Sequence, residues 1–189
     1  MFALLAANIV LNGALQCRPY QAGLSESQGE AWIPDYRYNE PGNYGAVPLN
    51  AINPVNYSSA GEARISVPLT TIDALNLSRC DLIKIDAEGM EHAVLSGATN
   101  TIAQFRPIIY AENNDRNRSI PVLKKLLDSE YIVYFHSPLA YNPSNYYGNV
   151  ENLFGGAAED NVIAIPAEKH VDQLPLQRAL SDLDYPYPA

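Results

Sequence analysis

The stretch Asp81–Glu91, DLIKIDAEGME, decides the fold of this chain. Its segment Leu82–Ile85 is short and apolar apart from one lysine, which is typical of a strand buried in a sheet. The strand ends abruptly, and Asp86, Glu88 and Glu91 place three carboxylates within the next six residues. A carboxylate at the mouth of a buried strand is costly unless something there uses it. The pattern therefore predicts a buried strand that opens into an acidic site.

Strands and helices alternate on the C-terminal side of this stretch. The predicted elements are a helix with Met90, Ala93, Val94 and Ala98 on one face, a strand Pro107–Ala111, a helix capped by Ser119 with Pro121 in its first turn, a strand Tyr131–Phe135, a loop 138–160 and a last strand Asn161–Ile165. Such alternation is typical of an α/β domain with a largely parallel sheet.

The N-terminal side is less regular. The predicted elements are a helix Phe2–Leu11, a strand Gln16–Ala22 ended by Gly23, a hairpin partner Glu30–Ile33, a long irregular loop 34–61 and a short helix Ile72–Leu77 capped by Thr71. The loop is rich in Tyr, Asn, Pro and Gly, and we interpret it as functional because so many tyrosines are unusual in a purely disordered linker. Beyond Pro166 the chain is polar, with a short helix predicted before Asp182.

Three polar residues end three successive predicted strands, at Asp86, Glu112 and His136. Right-handed crossovers bring the carboxyl ends of parallel strands to one edge of the sheet, where open α/β sheets bind ligands. The three side chains are therefore expected in one crevice. Glu91 is explained by helix capping, and His92 by an exposed helix position, since no second His lies one turn away.

Composition narrows the classes of partner. The net charge is −9 and the pI about 4.7, so an acidic surface disfavours nucleic acid and membranes. Cys17 and Cys80 are the only cysteines, too few for a four-cysteine metal site, and are expected to be free in the cytoplasm. The apolar start lacks a basic segment, so we interpret it as a helix and not a signal peptide.

Together, several segments make the sequence resemble the FkbM family of methyltransferases. The segments that carry the resemblance are Val67–Leu75, Asp81–Glu91, Val94–Ala98, Arg106–Asn113, Tyr141–Gly148 and Asn161–Pro166. The resemblance implies a class I (Rossmann-like) methyltransferase sheet whose last strand runs antiparallel beside the strand at Pro107. It also implies S-adenosylmethionine as methyl donor and O-methylation of a hydroxyl on a sugar or other small metabolite.

The resemblance places residues 1–12 on the helix that follows the second strand of that fold. The sheet is therefore expected to be N-terminally truncated, with the first strand and its glycine-rich cofactor loop preceding Met1. A fragment, a mis-set start and a separate complementing chain all remain open. The same reasoning gives a partial methyltransferase domain over 1–166 and a polar tail over 167–189, and it predicts an open sheet edge at Leu82–Ile85 that favours association, including a homo-oligomer.

The resemblance also implies roles for individual residues. Asp86 and Glu88 are the candidates for a catalytic base, and Asp86 is also a candidate cofactor ligand. The adenine is expected beside Ala22, Gly23 and Leu24. The acceptor, a small molecule or carbohydrate, is expected to contact Glu112, Asn113, His136, Tyr44, Tyr141 and Asn145.

Two other functions remain open at this point. The chain could be a non-catalytic fragment or subunit that binds no cofactor alone. It could also be a metal-dependent hydrolase built on Asp86, Glu88, Glu112 and His136, although no metal is expected.

Overall fold

The computed structural model describes residues 2–34, 64–169 and 174–184. The predicted loop over 34–61, with Tyr44, lies outside these residues except at its first position. The elements are α1 (Phe2–Leu11), β1 (Gly23–Leu24), β2 (Gly29–Pro34), β3 (Arg64–Thr70), a 3₁₀ turn (Asp73–Leu75), β4 (Leu82–Ile85), α2 (Glu91–Ser96), α3 (Thr99–Phe105), β5 (Ile108–Glu112), α4 (Arg116–Asp128), β6 (Tyr131–His136), β7 (Asn161–Pro166), a 3₁₀ turn (Ala167–Lys169) and β8 (Arg178–Ala179).

The main sheet has five strands in the order β4-β5-β7-β6-β8. The four predicted strands share this sheet, and β7 runs antiparallel beside β5, as expected. Three of the four predicted strands, β4, β5 and β6, run in the same direction, and β7 runs against them, although within this sheet only the β4–β5 ladder is parallel. The cause is the insertion of β7 between β5 and β6. These two strands run in the same direction, and β7 pairs antiparallel with each of them.

One face of this sheet carries the core. Ile83 and Ile85 alternate with exposed neighbours along β4, and Ile109 follows on β5. Apolar residues of the three helices cover this face: Val94, Leu95, Ile102, Val122, Leu123 and Leu126. The opposite face leaves Leu82 60% and Ile108 40% exposed, so burial is one-sided at this end of the sheet.

A second sheet has three strands in the order β1-β3-β2. The strand predicted at Gln16–Ala22 is displaced, since Pro19 interrupts that segment and only Gly23–Leu24 pairs, in parallel with β3. The predicted hairpin is also wrong. β2 pairs antiparallel with β3 from Gly29 to Pro34, and β3 lies between β1 and β2.

Two close contacts link the segments that follow β1 and β3 to the helices. The Ser25 carbonyl approaches Gly97 so closely that a Cβ at position 97 would clash with it. Asp73 accepts hydrogen bonds from the Asn100 and Thr101 amides at the start of α3 (2.9 and 2.8 Å). Burial raises the pKa of Asp73, but these hydrogen bonds outweigh it and hold the pKa below its usual value. The segment around Asp73 therefore has a structural role.

Helix boundaries account for the remaining corrections. Asp115, and not Ser119, caps α4: its carboxylate accepts from the Asn117 and Arg118 amides (2.8 and 3.0 Å). Ser119 already donates its own amide to the Asp115 carbonyl within the helix, and Pro121 lies beyond the first turn. Thr71 caps as predicted, through the Ala74 amide (3.0 Å), but only a single 3₁₀ turn follows.

The short helix predicted before Asp182 is absent from residues 174–184. β8 adds to the sheet there instead, because Ala179 is buried beside Val133. This strand lies within the segment expected as a polar tail.

Candidate functional site

The loop that leaves β4 places the acidic residues at the carboxyl end of the sheet. Asp86 emerges first, with its side chain 56% exposed and 3.1 Å from the Lys84 ammonium. Among the described contacts the Asp86 carboxylate accepts no hydrogen bond from a helix amide, so helix capping does not explain this residue.

Glu91 holds that loop in place. Its side chain is buried, and its Oε1 atom accepts hydrogen bonds from the Ala87 and Gly89 amides (3.1 and 3.0 Å). A carboxylate that binds the free amides before a helix is a capping arrangement, as the sequence predicted for this residue. Glu91 therefore fixes the loop that carries Asp86 and Glu88.

The loop also adopts an uncommon backbone conformation. Glu88 and Gly89 have positive φ angles of 50° and 91°. The Arg118 guanidinium lies against Gly89 so closely that a Cβ there would overlap it. The φ of 91° favours a glycine at position 89, whereas the guanidinium is the end of a flexible side chain that can move aside. Glu91 from the helix side and Arg118 from α4 thus enclose the loop.

A first cavity, here called the β1–β4 cavity, lies between the small sheet and β4. Its volume is about 350 Å³. Ala22 and Leu24 line it on one side, and Asp86 and Glu88 on the other. The structure therefore brings together most of the predicted cofactor residues, and Gly23 lies between Ala22 and Leu24 in the chain. Its remaining lining residues are Lys84, which pairs with Asp86, and the apolar residues Ile72, Ile83, Ile85, Ala87, Met90 and Val94.

A second cavity, the α2–α4 cavity, lies between the starts of these two helices. Its volume is about 130 Å³. Glu88, Glu112 and Asn113 line it, as does Ser119. Glu88 therefore borders both cavities, whereas Asp86 borders only the first.

This arrangement raises the pKa of Glu112. Burial raises its pKa, and the nearby charges of Asp86, Glu88 and Glu91 raise it further, against a smaller lowering effect of Lys84. The Asn114 side-chain amide donates to Glu112 Oε1 (2.5 Å). Asn113 is buried next to it.

His136 does not join this cluster. Its Nδ1 atom lies 2.9 Å from the Tyr110 hydroxyl, and β7 separates its strand from Glu112. Burial raises the pKa of Tyr110, with a further contribution from Glu159. His136 lines neither of the two cavities, and Asp86 and Glu112 line different ones, so the structure does not bring these three residues into one crevice.

Tyr141 and Asn145 stabilise their own loop. The Tyr141 hydroxyl donates to the Asn149 carbonyl (2.9 Å). Asn145 donates to the Asn142 and Asn149 carbonyls (3.1 and 2.8 Å) and accepts from the Asn149 amide (2.9 Å). Neither residue lines the two cavities, and Tyr44 lies outside the described residues.

The sequence prediction missed the contribution of α4. Asp115, Arg118 and Ser119 line the α2–α4 cavity, but Ser119 was interpreted only as a cap. A signal was present, since a helix that follows β5 must begin at the same sheet edge. Within residues 2–34, 64–169 and 174–184, no group of three His, Cys, Asp or Glu side chains could hold a metal ion. No helix in these ranges is long and apolar enough to cross a membrane.

A mixed α/β domain with cavities at the carboxyl ends of its strands is an arrangement suited to a ligand-binding enzyme. The model of the FkbM methyltransferase domain matches residues 15–159, which is most of the chain. The protein therefore belongs to the FkbM methyltransferase family and is, by family, a methyltransferase. Comparison with curated proteins and comparison with solved structures each gave no match.

Proposed function

We propose that this protein transfers a methyl group from S-adenosylmethionine to a hydroxyl of a sugar or other small metabolite, in a class I methyltransferase fold. The observation that carries the proposal is the position of Glu88, which borders both cavities. Two adjoining cavities with a carboxylate at their junction suit a reaction between a donor and an acceptor that must be aligned. Family membership supports the methyl transfer itself.

The β1–β4 cavity is the proposed donor site. Its apolar wall, with Ala22 and Leu24 at one end, suits an adenine ring, while Asp86 offers a carboxylate to the polar part of the donor. When bound, S-adenosylmethionine supplies a methyl group on a positively charged sulfur. The residues present fit such a ligand, because they combine an apolar surface with an exposed carboxylate.

The α2–α4 cavity is the proposed acceptor site, and Glu88 is the proposed base. Its carboxylate would accept the hydroxyl proton as the acceptor oxygen forms its bond to the methyl carbon, while the bond from carbon to sulfur breaks and its electron pair stays on sulfur. A positioned base contributes about 10²–10⁴-fold in rate. Glu91 and Arg118 hold the loop that aims Glu88.

The test is a radiometric assay with methyl-labelled S-adenosylmethionine and a panel of mono- and disaccharides. We expect labelled ether products with the wild type. Glu88→Gln should lower turnover about 100-fold or more, and Asp86→Asn should mainly raise the KM for the donor. Leu139→Ala, in an exposed loop position, is the control. Donor binding without transfer to any hydroxyl would point instead to a non-catalytic subunit and would contradict the proposal.

A further inference from the structure

The floor of the α2–α4 cavity is built from buried polar side chains. Among the described residues six polar or charged residues are buried, and three of them, Glu91, Asn113 and Ser119, line this one cavity. Ser119 is 1% exposed, and its hydroxyl has no hydrogen-bond partner within the described residues. A buried hydroxyl without a partner is unfavourable, so a group that fills the cavity and bonds to it would be stabilised.

The charge around the cavity is predominantly negative. Four carboxylates line it, and Arg118 is the one basic residue among its lining residues: the carboxylates are Glu88, Glu91, Glu112 and Asp115. The positive end of α4 is already satisfied, because Asp115 accepts two of its amides. An anionic ligand group would meet repulsion here, and a cation would be attracted.

We propose that the α2–α4 cavity binds a protonated amine of the acceptor, with Glu88 and Glu112 as its charge partners and the Ser119 hydroxyl as a further acceptor. An ammonium group has three donors and no acceptor, which matches this set of oxygen atoms. The assignment of the amine to the acceptor rests on the proposed function, whereas its binding does not.

Two further observations support an ammonium group over other cations. The described residues hold no set of three side chains suited to a metal ion, so a divalent cation is disfavoured. The pKa of Glu112 is raised first by its burial and then by the charges of Asp86, Glu88 and Glu91, against a smaller lowering effect of Lys84. A bound ammonium would offset them and lower that pKa.

The test uses three pyranoses that differ in charge, glucosamine, glucose and glucuronate, titrated without methyl donor and followed by ligand-observed NMR. The titration is made at pH ~6.5, where the amine is protonated. We expect glucosamine to bind about tenfold more tightly than glucose, and glucuronate to bind most weakly. Equal binding of glucosamine and glucose, or a preference for glucuronate, would overturn the proposal.

Three variants test whether the preference for glucosamine arises in the α2–α4 cavity. Glu112→Gln should abolish the preference for glucosamine over glucose, and Ser119→Ala should weaken glucosamine binding about threefold without unfolding the chain. Asp128→Asn removes an exposed carboxylate at the opposite end of α4 and should change neither. If Asp128→Asn reduced the preference as much as Glu112→Gln, the effect would be one of net charge and the proposed site would be wrong.

The two proposals can fail separately. Methyl transfer restricted to neutral sugars would contradict the amine site alone. Amine binding with no methyl transfer would contradict only the proposed function.

Discussion

A single buried carboxylate determines the shape of the acidic loop. Glu91 accepts two amides from the loop between β4 and α2, and that loop contains two residues with positive φ. Such conformations persist only where surrounding contacts enforce them. The position of Asp86 and Glu88 is therefore a property of Glu91 as much as of the residues themselves.

Replacing Glu91 with Gln tests this dependence. We expect the free energy of unfolding to fall by about 1–3 kcal/mol, because a neutral amide oxygen accepts the two amide hydrogens more weakly than a carboxylate does. Urea denaturation measures the change. Glu151→Gln, at an exposed position, is the matched control and should change stability little. Equal stabilities of Glu91→Gln and the control would contradict this role.

The raised pKa of Glu112 predicts a pH dependence with a definite sign. The folded protein holds this proton more tightly than the unfolded chain, so the residue's contribution to stability decreases as pH rises from the ordinary glutamate pKa through the raised value. Glu112→Gln should therefore raise the melting temperature at pH 7, with the gain absent well below pH ~4.5. A gain that persists unchanged at low pH, or a loss at pH 7, would show that charge crowding is not the cause.

At the scale of elements, the sequence predicted the positions of the strands better than strand pairing and helix boundaries. β4 and β7 follow from short apolar runs, and the resemblance placed β7 antiparallel beside β5. The β1–β3 pairing did not follow, since β1 is two residues long and its partner begins at Arg64, far along the chain. The cap of α4 was missed because Ser119 and Asp115 are both good capping residues. The sequence alone does not show that the helix begins right after Asp115, so that Ser119 lies inside it.

Arg106 links three elements near the amino ends of the strands. Its guanidinium donates to the Ser129 and Glu130 carbonyls (2.7 and 3.1 Å), pairs with both oxygens of Glu168 (2.9 and 3.0 Å) and lies 4.6 Å from the centre of the Tyr131 ring. The hydrogen bond from Arg106 lowers the pKa of Glu168 to about 2. This group of contacts joins the end of α3 to the turn before β6 and to the turn after β7.

Replacing Arg106 with Ala should lower stability by about 2 kcal/mol or more, because two carbonyls lose their donors. The Glu168 part of the effect has its own pH range. It is present above the ordinary glutamate pKa and is lost as pH falls toward about 2. Thermal melts of Arg106→Ala and Glu168→Gln between pH ~2 and ~7 measure both effects. If Glu168→Gln destabilised the protein equally at both ends of this range, the ion pair would not be the source.

At the scale of the whole molecule, one side of the sheet is sparsely covered. Leu82 and Ile108 are exposed on the face opposite the helices, and α1 has no buried residue although most of its side chains are apolar. Within the described residues β4 has a paired strand on one side only. Edges and apolar patches of this kind promote association.

We therefore expect the protein to self-associate as its concentration increases, in agreement with the expectation from its sequence. Leu82→Lys should shift the distribution toward the monomer, as measured by size-exclusion chromatography with light scattering. Leu139→Lys places the same charge at an equally exposed leucine in a loop and should have little effect. A monodisperse wild-type monomer at every concentration, or equal effects of the two variants, would contradict this interpretation.

In the proposed function, donor and acceptor occupy adjoining cavities that meet at Glu88. The most direct measurement is photolabelling of the protein with S-adenosylmethionine, with the labelled peptides located by mass spectrometry and S-adenosylhomocysteine as competitor. We expect competed labelling within the segments 22–24 and 83–90, which contain most of the residues that line the β1–β4 cavity. Labelling should be lost in Ala22→Trp, which fills that cavity, and kept in Ala103→Trp, on exposed helix surface. Labelling confined to other segments, or insensitive to the competitor, would contradict the account.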